Sequence, residues 1–144
     1  MPNRTIRSMV ESQTVICASA QSTVSDTARQ MKQSGVGTVM VVDNERLVGI
    51  FTERDALFRV LAEGRNAKST LIADVMTSNP LTIGPDKPFG HALHIMYEGG
   101  FRHVPVVENG WPIGMVSARD ALSPEMQIFE SELRFREEIA ELLA

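Results

Sequence analysis

The sequence lacks several features that would each have placed it in a particular class. It has a single cysteine, Cys17, in 144 residues, which excludes an internal disulfide framework and favours a reducing compartment. No apolar run approaches the ~20 residues that cross a bilayer. The opening MPNRTIRSMVES has no apolar stretch typical of a secretory signal. We therefore expect a cytoplasmic protein with no membrane partner.

An excess of basic charge is also missing. Residues 125–144 carry six glutamates against Arg134 and Arg136, which accounts for the whole net charge of −4. Residues 1–124 balance at 12 acids and 12 bases, so we expect no broad basic face for a phosphate backbone. Nucleic acid is therefore not expected as a partner. The apolar content of 43% and charged content of 22% are those of a globular protein.

What the sequence does contain is an internal repeat. The stretch GIFTERDAL begins at Gly49, and GMVSARDAL begins 65 residues later at Gly114. When residues 31–57 are placed over 96–122 without a gap, 11 of the 27 positions are identical, against about two expected from typical residue frequencies. The chain is therefore an internal duplication.

Each copy predicts the same order of elements, β-α-β-β-α. A short apolar strand precedes a segment of helical period that ends at glycine, and two β-branched runs joined by a tight turn follow. A second helix begins at the T-x-x-D or S-x-x-D stretch. The predicted ranges are 14–16 and 81–83 for the first strand, 23–34 and 88–98 for the helix, and 44–45 and 109–110 for the hairpin turn.

The predicted fold class is α+β (mixed α/β), with two repeats related by pseudo-twofold symmetry and an additional C-terminal helix. Neither repeat buries much surface alone, and near-continuous apolar strands need cover on both faces. We expect the first repeat at 7–66, the second at 70–123 and the helix at 124–144. Such symmetry implies two equivalent clefts between the halves.

The repeated motif has two interpretations that the residues alone leave open. Thr52 with Asp55, and Ser117 with Asp120, have the spacing of a capping box, in which hydroxyl and carboxylate bond the backbone at a helix start. The same helix start attracts phosphate, and an aspartate one turn later can accept from both hydroxyls of a ribose. Recurrence after a glycine in both copies favours nucleotide binding.

The motif G-h-h-[ST]-x-x-D, present twice, resembles that of the cystathionine-β-synthase (CBS) domain pair, or Bateman module. The stretches DVMTSNPLTIGPD, FRHVPVVENG and LVGIFTERD strengthen the resemblance, which covers about residues 7–123. It implies a non-catalytic sensor of adenosine-containing ligands such as AMP, ADP, ATP, NAD-type dinucleotides or S-adenosylmethionine, with no obligatory cofactor. No metal is expected either, because no carboxylate or cysteine completes a ligand spacing with His91, His94 and His103. It also implies that Asp55 and Asp120 hold ribose, while Thr52 and Ser117 contact phosphate or ribose.

The resemblance further implies that Ile16 and Thr82–Ile83 flank the adenine, and that Arg102 and His103 point into the central cleft. A guanidinium at that place would bind phosphate. The first repeat has Gly37–Thr38 there, so we expect two unequal sites. Arg54 and Arg119 precede the aspartates and are expected either to assist phosphate binding or to form surface ion pairs.

The C-terminal segment predicts one long helix that starts at Ser123–Pro124. Its heptad seam packs either on its own module or on a second subunit, and the resemblance favours a homodimer. The seam residues are Leu122, Met126, Phe129, Leu133, Arg136, Ala140 and Leu143. We expect a separate, unidentified regulated protein. The competing hypothesis is a structural or scaffolding homodimer whose pockets hold no ligand.

Overall fold

A computed structural model of the chain describes residues 4–121 and 124–143. The elements of the first half are α1 (Ile6–Val10), β1 (Cys17–Ser19), α2 (Val24–Ser34), β2 (Thr38–Asp43), β3 (Arg46–Thr52) and α3 (Glu53–Asp55), which continues as a π-helix (Ala56–Leu61). Those of the second half are α4 (Ile72–Val75), β4 (Thr77–Ser78), α5 (Phe89–Gly99), β5 (His103–Glu108), β6 (Trp111–Ser117), a 3-10 turn (Ala118–Ala121) and α6 (Pro124–Leu143).

The fold is the predicted mixed α/β arrangement with two sheets and a C-terminal helix. One sheet has the order β1-β2-β3-β4, in which β1 and β2 are parallel and the other pairs antiparallel. The other sheet is the β5-β6 hairpin. The equivalent strands β3 and β6 contact each other, and the Leu47 N–H donates to the Gly110 carbonyl at 3.1 Å. The two halves therefore meet through their hairpins.

The two hairpins share their turn geometry and their irregularity. Positive φ angles occur at Asn44 (50°) and Glu45 (65°), and at Asn109 (54°) and Gly110 (80°), as a tight turn matched to strand twist requires. The strand register shifts between Val41 and Val42 in the first hairpin. An equivalent shift follows Val106 in the second. The duplication is thus preserved down to a single bulge.

The long helix of each repeat begins and ends much as its sequence predicts. Thr23 caps α2 by accepting a hydrogen bond from the Asp26 N–H at 3.2 Å. Gly35 (φ 67°) and Gly100 (φ 71°) adopt the left-handed conformation immediately after α2 and α5, where a side chain would be strained. The predicted glycine ends are confirmed.

Three predicted elements differ in the structure. The first strand of the first repeat, expected at 14–16, is Cys17–Ser19. The strand expected at 81–83 is reduced to one parallel bridge between Ile83 and Val106, because Pro80 and Pro85 on either side lack the N–H that a longer ladder needs. The helix expected after Ser117 is only a 3-10 turn. A proline at position 124 would clash with the Asp120 carbonyl of a continuous helix, and that carbonyl instead accepts from the Arg4 guanidinium at 2.8 Å.

The two cores exchange their leading helices. Ile72 and Val75 of α4 belong to the core that β1–β3 and α2 form. Ile6 and Val10 of α1 belong to the core of β5, β6 and α5. Each half is therefore completed by the helix that precedes the other half in sequence, which joins the repeats into one unit. The expected boundaries at 66, 70 and 123 stay a prediction.

The first glycine of each repeated motif makes this exchange possible. A Cβ on Gly49 would lie 2.6 Å from the Met76 sulfur, and one on Gly114 would lie 2.6 Å from the Val10 Cβ. Only a residue without a side chain lets β3 and β6 approach the exchanged segments so closely.

Helix α6 begins at Pro124 as predicted, and none of its described side chains is buried. Every side chain described there, at position 129 and at 131–143, is exposed. Leu122 and Ser123 lie outside the described residues, as does the side chain of Met126. Within 4–121 and 124–143, no helix is long and apolar enough to cross a bilayer.

Candidate functional site

Two cavities lie along the junction between the repeats, and each contains one copy of the motif. The larger, of about 420 Å³, is lined by Ser117 and Asp120 and is named the Asp120 cleft. The second, of about 360 Å³, is lined by Thr52 and Asp55 and is named the Asp55 cleft. His103 lines both. Both volumes fall in the range of small-molecule sites.

In the Asp55 cleft the motif forms a complete capping box. The Asp55 N–H donates to the Thr52 hydroxyl at 3.0 Å, and the Thr52 N–H donates to Asp55 Oδ2 at 3.1 Å. The Thr77 hydroxyl also donates to both carboxylate oxygens, at 3.3 and 3.4 Å. Asp55 is only 7% exposed. Its carboxylate is therefore largely occupied by the protein itself.

Arg59 adds an ion pair to this carboxylate. Its Nε lies 3.5 Å from Asp55 Oδ1, while its Nη1 donates to the carbonyls of Met76 at 2.7 Å and Val75 at 3.4 Å. Sequence reasoning missed Arg59 and Thr77. The i,i+4 spacing of Asp55 and Arg59 on a helix was a usable indication of the ion pair, but no local pattern brings Thr77 there.

In the Asp120 cleft the motif aspartate accepts hydrogen bonds from the described residues on only one of its two carboxylate oxygens. The Ser117 N–H donates to Asp120 Oδ2 at 2.8 Å and the Ser117 hydroxyl to the same oxygen at 3.4 Å. Among the described residues, no hydrogen bond ends on Oδ1. Asp120 is half-buried rather than buried. The residue of the second repeat that is equivalent to Arg59 is Pro124, so the second repeat has no cation at that position.

Residues of the first repeat also contribute to the lining of the Asp120 cleft. Thr14, Ile16, Gly37 and Thr38 line it, which brings the predicted Ile16 and Asp120 into one cavity. Gln13, which sequence reasoning also missed, closes the edge of β6, since its side-chain amide exchanges two hydrogen bonds with the Met115 backbone at 2.9 and 3.0 Å. This cleft thus combines apolar and hydroxyl side chains of the first repeat with the Asp120 carboxylate of the second.

The remaining predicted residues lie at different places. Arg119 lines the Asp120 cleft, and Arg54 lines the Asp55 cleft with its guanidinium over the Phe58 ring. Arg102 is exposed and lines neither cavity. Thr82 is exposed and Ile83 is buried in the second core, while their neighbours Pro80 and Leu81 line the Asp55 cleft.

The expected inequality of the two sites has a structural basis at Gly37. The space that a Cβ on Gly37 would occupy is bounded by the Glu53 carboxylate, whose Oε1 is 3.0 Å away. The equivalent place in the second repeat carries Arg102. An acid therefore lies at the edge of the Asp120 cleft, where an added phosphate would be repelled.

His103 is the titratable group shared by both clefts. Partial burial lowers the pKa of its imidazole below 6.5, because desolvation penalises the charged form. The nearby Arg102 guanidinium lowers this pKa further, whereas Asp120 and Glu53 oppose the shift. Burial therefore favours the neutral form of the His103 imidazole, with a lowered pKa. Among the described residues no group of three or more His, Cys, Asp or Glu side chains could hold a metal ion.

We expect acidification to destabilise the protein through His103. Below pH 6.5 the unfolded chain binds a proton that the folded chain binds only at lower pH, so the stabilisation present above 6.5 is lost as the pH falls through the folded pKa. Urea denaturation between pH 7.5 and 5.5 should show a smaller loss in His103→Gln. Equal losses in the two proteins would contradict this assignment.

The family comparison agrees with this architecture. A CBS domain model matches residues 6–62 and again residues 72–124. The chain belongs to the CBS domain family. It is 35% identical over 117 residues to the CBS domain-containing protein CBSX3, mitochondrial, of Arabidopsis thaliana, which covers 78% of this chain. The chain spans 57% of the length of that protein and 13% of the Schizosaccharomyces pombe Meiotically up-regulated gene 70 protein.

Solved CBS structures share the fold. The CBS domain protein PAE2072 from Pyrobaculum aerophilum, complexed with AMP, superposes with a TM-score of 0.76 at 21% identity, covering 90% of this chain and 99% of that one. The CBS domain pair of MJ0100, in complex with 5′-methylthioadenosine and S-adenosyl-L-methionine, gives 0.74 at 24% identity, covering 91% and 99%.

Proposed function

We propose that this CBS domain pair is a non-catalytic regulatory module that binds an adenosine-containing ligand in the Asp120 cleft. The observation that carries the proposal is the Asp120 carboxylate, which receives its bonds on Oδ2 and lines a cavity of about 420 Å³ together with Ile16. A carboxylate with unused lone pairs accepts from vicinal ribose hydroxyls, and an apolar wall packs against a base.

The Asp55 cleft is proposed to be the weaker site. Its carboxylate already accepts from Thr52 and Thr77 and pairs with Arg59, so a ribose would have to displace protein contacts. The complete capping box favours a structural role for the motif in the first repeat. The capping box in the first repeat is therefore the observation that supports the scaffold hypothesis.

The charges around the Asp120 cleft favour adenosine compounds with no more than one phosphate. Asp120 and the adjacent Glu53 are two acids, against the Arg119 side chain in the lining. A triphosphate would bring its charge towards both carboxylates. AMP, 5′-methylthioadenosine and S-adenosylmethionine fit this balance, and related CBS structures contain these three. ADP, ATP and NAD-type dinucleotides are proposed to bind this cleft more weakly.

The remaining elements of the proposal concern the setting in which the module acts. A ligand biases such a module only as far as it binds one conformation better than another, and the regulated protein is proposed to be a separate, cytoplasmic partner. A homodimer is proposed as the assembled form. His103, which lines both clefts, is proposed to contact the ligand. Arg102, Thr82 and Ile83 line neither cleft, so no ligand contact is proposed for them.

The proposal is tested by a thermal-shift comparison of AMP, ADP, ATP, NAD, S-adenosylmethionine and 5′-methylthioadenosine on protein purified free of nucleotide. A ligand at 100 times its Kd stabilises by about 2.7 kcal/mol, which corresponds to several degrees for a chain of this size. We expect the largest shifts from compounds with one phosphate or none. If no adenosine compound shifts Tm, the module is a scaffold.

A further inference from the structure

The described part of α6 presents a wide apolar face with nothing covering it. Phe129 is 54% exposed and Leu142 is 84% exposed. The full set of exposed large apolar side chains on this helix is Phe129, Leu133, Phe135, Ile139, Leu142 and Leu143. At 3.6 residues per turn they occupy about half of the helix circumference, and this face extends well beyond the heptad seam predicted from the sequence.

Two opposite charges lie at the middle of this apolar face. At about 100° per residue, Glu132 and Arg136 fall between Ile139 on one side and Phe129 on the other. The described residues include no ion pair for either side chain, and both are exposed. A surface that covered the apolar face would also cover these two charges. They are four residues apart on the helix, so each can pair within the helix or with an opposite charge of the covering surface.

We propose that α6 pairs antiparallel with α6 of a second copy of this chain. The twofold axis crosses the apolar face midway between Glu132 and Arg136, at the level of position 134 along the helix. In that register Glu132 of one copy lies opposite Arg136 of the other, and the reverse contact follows from symmetry. Phe129 then lies opposite Ile139. Parallel pairing would instead place Glu132 against Glu132 and Arg136 against Arg136, which like-charge repulsion disfavours.

Charge also distinguishes a second copy from a membrane surface as the occupant. Residues 129–143 carry five glutamates against two arginines, so the polar face of the helix is acidic. Interfacial helices that bind anionic lipid carry lysine and arginine there instead. The antiparallel pair buries the apolar side chains nearest the centre of the face and places both central charges opposite a charge of the other sign.

The test is the mass of the full chain in solution by sedimentation equilibrium, for charge reversals at the two central positions. Wild type is expected to self-associate. Glu132→Arg and Arg136→Glu should each raise the Kd of association at least about tenfold by creating like-charge pairs. The double variant should restore association, and a mixture of the two single variants should form the heterodimer.

Matched controls keep this result specific to the face. Glu138→Arg and Arg134→Glu make the same charge changes on the polar side of the helix and should leave the mass unchanged. Far-ultraviolet circular dichroism checks that each variant keeps its helix content. A wild type that stays monomeric overturns the proposal. So does self-association that the single reversals do not weaken, which would mean that another face joins the copies or that the pairing is parallel.

Discussion

Asp120→Asn is expected to weaken binding of the adenosine ligand at least about tenfold. The asparagine oxygen can still accept the Ser117 N–H that Asp120 Oδ2 accepts at 2.8 Å, so the 3-10 turn keeps its cap. The charge is lost, however, and hydrogen bonds to a charged group contribute about 1.5–3 kcal/mol. Isothermal titration calorimetry on the two proteins measures the difference directly.

The matched control is Asp55→Asn, which makes the same chemical change in the other cleft. Its effect should fall on stability rather than affinity, since Asp55 is buried and bonded to Thr52, Thr77 and Arg59. We expect the free energy of unfolding to fall by about 1–3 kcal/mol, with the ligand Kd changed less than about twofold. The opposite pattern would assign the ligand to the Asp55 cleft.

Ile72→Ala is expected to lower the free energy of unfolding by about 2–5 kcal/mol, the usual cost of truncating a fully buried isoleucine. Ile72 is 0% exposed and packs in the core of the first repeat, although its segment belongs to the second family match at 72–124. The loss should therefore appear in β1–β3. Hydrogen exchange of the backbone amides resolves which sheet loses protection.

Ile6→Ala provides the reciprocal measurement. Ile6 is also 0% exposed but lies in the second core, so the reduced protection should move to β5 and β6. The exchange of α1 and α4 would be contradicted if each substitution first weakened the sheet of its own sequence repeat. Such a result would mean that the repeats are independent units.

Sequence reasoning succeeded where short-range rules determine the structure. The hairpin turn at Asn109–Gly110 needs positive φ angles, which asparagine and glycine tolerate. The ends of α2 and α5 need a left-handed residue, and a glycine follows each helix. The family resemblance came from the motif itself, and it fixed the fold class that the structure confirms.

Long-range contacts account for what the sequence did not predict. The capping-box and nucleotide interpretations of the motif applied equally to both repeats in the sequence, yet the contacts of the two aspartates differ in the structure. Asp55 is occupied because Thr77, which is 22 residues away, and Arg59 reach it. Asp120 accepts hydrogen bonds from described residues on Oδ2 alone, and the residue four positions later is a proline rather than a cation. The exchanged helices likewise depend on packing between segments far apart in the chain.

The most direct test of the central claim is a ¹H–¹⁵N NMR titration with AMP, which locates the ligand rather than only detecting it. The account predicts that the largest amide shifts occur at Ile16, Gly37, Thr38, Ser117 and Asp120, which line the Asp120 cleft. Thr52, Asp55 and Thr77 of the Asp55 cleft should shift little. Shifts concentrated at those three residues would contradict the account.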